Sequence, residues 1–145
     1  MGLFSFFKFG SQSEEADARA AAQRALVGLD IDMAIAAHDN WKQRLLAYLS
    51  GSSSEDLRPE VICADDRCDL GKWIYGDGAK QLNGFASFSE LRATHKMFHY
   101  TASSVVALKT AGKVEEAKAL MSGEYEKTSS RIIGRLRDLK MLGGK

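Results

Sequence analysis

Proline is nearly missing from this sequence, and so is any excess of charge of one sign. A single proline in 145 residues, beside abundant alanine, leucine, lysine and glutamate, leaves few chain-breakers and favours helix. Twenty basic residues against nineteen acidic ones give a formal charge of +1, which excludes the clustered basic excess that nucleic-acid binding requires. No apolar run approaches the ~18 residues that cross a bilayer. The opening MGLFSFFKFG is aromatic but short, lacks a basic n-region and leads into SEEADARA, so it does not read as a secretory signal. Phe6 stands where a myristoylation signal requires Ser or Thr. The expected setting is therefore cytoplasmic and reducing. Cysteine is scarce too: Cys63 and Cys68 are the only two, and in a reducing compartment they read as thiols or ligands rather than as a structural disulfide.

What is present suits one ordinary core. Residues 1–13 form a compositional unit, with Phe4, Phe6, Phe7 and Phe9 supplying four of the seven phenylalanines. Ser11-x-x-Glu14 reads as a capping box. From there to about Ser50 the apolar residues Leu26, Leu29, Met33, Ala37, Trp41, Leu45 and Tyr48 recur at helical spacing, predicting one long first helix with Gly28 as its weak point. GSSSEDLRPE, residues 51–60, is a solvated connector. Residues 60–86 are expected to be irregular, with a short helix over Leu70–Tyr75. A second capping box, Ser87-x-x-Glu90, predicts a helix to Ala111 that stops at Gly112. Val114–Met121 reads as a short helix ended by Ser122-Gly123, and Glu124–Leu142 as the last, with Tyr125, Ile132, Ile133, Leu136 and Leu139 as core candidates. The expectation is an all-α domain over 14–142 with a tail at 143–145. Its architecture is an antiparallel four-helix bundle with a short helix and an irregular segment between its long helices.

Histidine is scarce as well: His38, His95 and His99 are the whole supply. His95 and His99 stand at i and i+4 in THKMFHY, with Cβ atoms about 6 Å apart on one helix face, a spacing that lets two imidazoles converge on one ion. The same pair also suits two surface or core histidines. His38 lies on the first helix, one turn before Trp41; alone, it reads as a hydrogen-bonded histidine at a bundle seam. Taken together, two histidines from one helix, one from another and a cysteine from the segment between them make a His3Cys set. Such a set suits Zn2+, which accepts four N/S ligands at about 2.0–2.3 Å. A di-iron bundle would instead recruit Glu-x-x-His patterns, which this sequence lacks.

Three motifs in order, His38-Asp39-Asn40-Trp41-Lys42, Cys68-Asp69-Leu70-Gly71-Lys72-Trp73 and His95-Lys96-Met97-Phe98-His99, resemble the chemoreceptor zinc-binding (CZB) domain of bacterial signalling proteins. The resemblance covers about residues 26–140. It implies one zinc held by His38, Cys68, His95 and His99, with Cys63 matching no ligand position. Trp41 and Trp73 match aromatic positions of the family, where they would wall the site from water or simply fill the core. Three neutral imidazoles and one thiolate would leave the zinc site at a net +1. A carboxylate among Asp39, Asp65, Asp66, Asp69 and Glu90, or a backbone carbonyl, would then hold each imidazole's other N–H.

Four protein ligands leave no fixed position for an activated water, and the sequence has no phosphate loop, so a non-enzymatic protein is expected. The resemblance implies a sensory or regulatory domain that responds to zinc or to hypochlorous acid and controls chemoreceptors or cyclic-di-GMP synthesis. The chain leaves no length for an output domain, so the expected signal passes in trans to a protein partner in bacterial signalling, with a homodimer as relay. The alternative is an adaptor with a purely structural zinc site. Oxidised Cys68 resolved by Cys63 to a disulfide is a further expectation. Residues 1–10 read equally as a docking segment for a partner or the membrane surface and as a segment packed on the bundle.

Overall fold

A computed structural model describes residues 12–144 of the chain. The phenylalanine-rich start, the cap residue Ser11 and the docking reading of residues 1–10 lie outside the described residues. Among the described residues the fold is all-α.

Helix α1, Gln12–Ala25, presents Ala18, Ala21, Ala22 and Ala25 to the core. Small side chains let it lie close to its neighbour: a Cβ at Gly143 would come 2.5 Å from Leu26 Cδ1. The long first helix expected to Ser50 is in fact two. A 3-10 turn covers Leu26–Gly28, Leu29 is extended, and α2 restarts over Ile31–Ser50 with the Asp30 carboxylate accepting the Met33 N–H at 3.1 Å. Asp30 is a strong N-cap, and its competition with helical continuation decides the break. The weak point expected at Gly28 is where the helix gives way. The restart also rephases the helix. Ile31, Ala34, His38, Leu45 and Leu49 face the core, while Met33, a member of the apolar stripe, is 68% exposed and Ala37 is exposed as well.

Gly51, at φ +81°, ends α2. The stretch expected to be irregular holds three short helices rather than one: α3, Pro59–Ile62, α4, Asp69–Tyr75, and α5, Asp77–Leu82. The second capping box is not used. Helix α6, Ala86–Thr110, starts after Phe85 with no side-chain cap, and Ser87 is buried within its first turn. Gly112, at φ +79°, follows its end as expected.

The break expected at Ser122-Gly123 does not occur. Helix α7, Val114–Leu120, runs through a π-helical turn, Met121–Tyr125, into α8, Glu126–Gly143. At 100° per residue, eight α-helical positions would carry Tyr125 about 80° off the line through Ala117. The wider π turn takes back part of that drift, and Ala117, Met121 and Tyr125 are all buried. Tyr125, Ile132, Leu136 and Leu139 are core as expected, and Ile133 is half-buried. Helix α8 packs on α1, α2 and α6, which sets α2 and α6 side by side.

Candidate metal centre

The segment between α2 and α6 delivers a cysteine by way of a helix start. Cys68 is the N-cap of α4, and its Sγ accepts the Gly71 N–H at 3.3 Å. Gly71 is required by close approach: a Cβ there would stand 1.9 Å from the carbonyl oxygen of Asp65. Trp73 anchors the same helix, donating its Nε1–H to the Ala25 carbonyl at 2.7 Å and meeting Phe88 edge-on at 6.0 Å.

Opposite Cys68, α6 places His95 and His99 one turn apart. Their Nε2 atoms are 3.1 Å from each other, and Cys68 Sγ lies 3.4 Å from His95 Nε2 and 3.6 Å from His99 Nε2. Donors at zinc bond lengths around a tetrahedral ion stand about 3.3 Å apart for N···N and about 3.6 Å for S···N. The three separations fit an ion of that size. The donor set is therefore arranged for a metal, with its atoms within 4.8 Å of one another.

His38 stands outside this close trio but beside it, its ring centroid 6.2 Å from that of His95 and 4.7 Å from that of Phe98. Its Nδ1–H donates to the Ala34 carbonyl at 2.9 Å. That bond leaves the lone pair on Nε2, which is buried with no hydrogen-bond partner. A buried acceptor without a donor costs about 1–3 kcal/mol, so this orphan suits a ligand.

His99 repeats the arrangement: its Nδ1–H donates to the Ile62 carbonyl at 2.8 Å and its Nε2 faces the trio. Backbone carbonyls thus hold both imidazoles, and none of the five candidate carboxylates does. Asp65 accepts from the Tyr75 hydroxyl and Glu90 pairs with Arg135 at 2.9 Å. His95 Nδ1 is buried without a partner.

Without metal, burial favours the uncharged forms of His95, His38 and Cys68. Burial, then the neighbouring His99 and His38, lowers His95 to a pKa of about 3. Burial likewise lowers His38, against the opposing bond to Ala34, and burial raises the Cys68 thiol against the Gly71 N–H that favours its thiolate. A bound cation reverses the last effect, since a coordinating thiol is deprotonated.

An open cavity of about 950 Å³ reaches this cluster, lined by His38, Cys68 and His99 with Trp41, Trp73 and Met33. Trp73 is buried core as well as wall; Trp41 is half-buried, with the Arg44 guanidinium 4.1 Å over its ring. Met33 and Ala37, two residues of the apolar stripe that predicted the first helix, line this cavity. Cys63 stands apart from the trio, its Sγ donating to the Glu60 carbonyl at 3.5 Å. Sequence reasoning had no way to find the Ala34 and Ile62 carbonyls, because main-chain acceptors leave no mark in residue identity.

The family model of the chemoreceptor zinc-binding domain matches residues 38–106, a span that runs from His38 past His99. No curated protein and no solved structure matches the chain. The Cys68, His95 and His99 cluster lies inside that span, so residues 38–106, with this cluster, are what the chain shares with the chemoreceptor zinc-binding domain family.

Proposed function

We propose that this chain is a zinc-binding sensory domain in which His38, Cys68, His95 and His99 hold one Zn2+. The observation that carries the reading is the convergence of Cys68 Sγ with two Nε2 atoms at 3.1–3.6 Å. The orphaned, buried Nε2 of His38 supports the fourth place. Three imidazoles and a thiolate complete a tetrahedral shell with no fixed position for water, which favours sensing over hydrolysis. Metal analysis of the purified protein tests this. About one zinc per chain is expected, lost in Cys68→Ala; a fully folded protein free of metal would overturn it.

The thiolate is the ligand an oxidant converts most readily. The thiolate attacks the chlorine of hypochlorous acid and hydroxide leaves; water then displaces chloride from the sulfenyl chloride, giving a sulfenic acid, which is a poorer zinc ligand. Zinc loss then loosens the segment 59–68, because metal binding also stabilises the fold of the segment that bears the ligand. The freed segment signals, in a homodimer, to a chemotaxis or cyclic-di-GMP partner in trans. Zinc release on mild hypochlorite, followed with a chromophoric chelator, tests this route. Retention of zinc while Cys68 is oxidised would refute it.

A further inference from the structure

We propose that Phe98 and Tyr125 are positioning residues for the metal, a pair of packed, mutually tilted rings that aims His38 at the site made by Cys68, His95 and His99. The proposal rests on the reading of His38 as the fourth ligand. His38 is the candidate that comes from a second long helix and stands outside the close trio, so its approach must be set by something other than the spacing of the α6 pair. The bond from its Nδ1–H to Ala34 at 2.9 Å fixes one atom of the ring. The Cβ–Cγ bond and this contact hold one edge of the ring, and a tilt of the ring moves Nε2, on the opposite edge, furthest.

Phe98 lies against the His38 ring. Its centroid is 4.7 Å from that of His38, with the planes tilted 51°. The same phenyl meets His99 edge-on at 5.6 Å and 87°, so one side chain touches imidazoles of both helices. Phe98 is only 2% exposed and has little freedom of its own. Tyr125 backs it at 5.1 Å, fully buried on the π-helical turn. Its hydroxyl has no hydrogen-bond partner. Stability alone would favour phenylalanine there, yet a π turn is maintained at the position that puts this ring behind Phe98. Turns of this kind concentrate at functional sites. His38, Phe98 and Tyr125 thus form a line across α2, α6 and the α7–α8 helix.

A double-mutant comparison tests the assignment. Zinc affinity is measured by competition with a chromophoric chelator, and ligand geometry by the visible absorption of Co2+-substituted protein. The proteins are wild type, Phe98→Leu, His38→Ala and the double variant. Phe98→Leu is expected to weaken zinc by about tenfold or more and to alter the Co2+ bands. In the His38→Ala background it should cost nothing further. Tyr125→Leu should act in the same direction, and Tyr125→Phe, which keeps the ring, should stay within about twofold of wild type.

A purely structural Phe98 would lower the melting temperature and leave both affinity and the Co2+ spectrum unchanged, which would overturn the proposal. The two levels of the argument separate cleanly. Wild-type zinc affinity in His38→Ala would sink the four-ligand reading; weakening in His38→Ala without weakening in Phe98→Leu would sink only the positioning role. Should Phe98→Leu lose its helical circular dichroism, Tyr125→Leu carries the same comparison.

Discussion

Replacing Gly71 by alanine is a one-carbon perturbation aimed at Cys68, the proposed thiolate ligand. The new Cβ would lie 1.9 Å from the Asp65 carbonyl oxygen, 2.9 Å from its carbon and 3.1 Å from Asp66 Cα. All three are backbone atoms, so no side chain can rotate away. An ordinary C···O contact is about 3.3 Å, which obliges the 65–68 loop and α4 to separate by roughly 1.4 Å. Cys68 connects the two, and its Sγ also accepts the Gly71 N–H. Metal–ligand distances tolerate only about 0.2 Å. The displacement therefore exceeds the tolerance several-fold, and we expect zinc affinity to fall by about 100-fold, or about 2.7 kcal/mol. Overpacking should also lower the stability of the metal-free protein by about 1–3 kcal/mol. Chelator competition and the thiolate-to-Co2+ charge-transfer band report the first effect, and urea unfolding the second. Gly84→Ala, where nothing lies within 4 Å of the added carbon, is the control. Affinity of Gly71→Ala within about threefold of wild type would refute the claim that this contact places the thiolate.

Gly134 lies exposed inside α8 with open space at its Cβ position, so Gly134→Ala should add about 1 kcal/mol and raise the melting temperature by roughly 2–5 °C without changing metal affinity. Tyr125→Phe removes a buried hydroxyl that lacks a partner and should leave stability unchanged or raise it by about 1 kcal/mol in urea titrations; a loss of that size would show that the hydroxyl is satisfied. In metal-free protein His95 is held at about 3 against an ordinary value of 6.5. The unfolded chain therefore binds the extra proton first, so this contribution to stability is complete above pH 6.5 and is lost as pH falls towards 3. A urea midpoint that stays flat from pH 7 to pH 4 in the presence of chelator would contradict the neutral, buried His95.

The helical class and the convergence of Cys68, His95 and His99 were legible because they depend on quantities a sequence displays. Near-absence of proline, the i,i+4 interval of His95 and His99, and the Cys68-to-Gly71 motif each correspond to one local geometry. What was not legible depended on competition between local signals. The stripe through Leu26, Leu29, Met33 and Ala37 keeps helical period, but Asp30 caps a new helix and resets the phase, which sends Met33 outward. Ser87-x-x-Glu90 has the letters of a capping box, yet the helix begins at Ala86, two residues before the start such a box would set, and buries the serine. Ser122-Gly123 reads as a stop, and a π turn carries the helix through it because the buried faces of α7 and α8 continue past the glycine. The turns at Pro59–Ile62 and Asp77–Leu82 are too short for periodicity to reveal.

The two imidazoles whose second nitrogen has a partner give that proton to peptide carbonyls, of Ala34 for His38 and Ile62 for His99. An amide oxygen survives almost any substitution at its own position. Ala34 and Ile62 can drift through many side chains without loss of the acceptor, provided α2 and α3 keep their course. Point mutations that replace side chains will therefore miss these two contacts, whereas a change in local backbone path will strike both orientation and metal retention together. An amide-to-ester replacement offers another route: it weakens the carbonyl acceptor while retaining the side chain, so it can separate what an alanine scan of this site would leave joined.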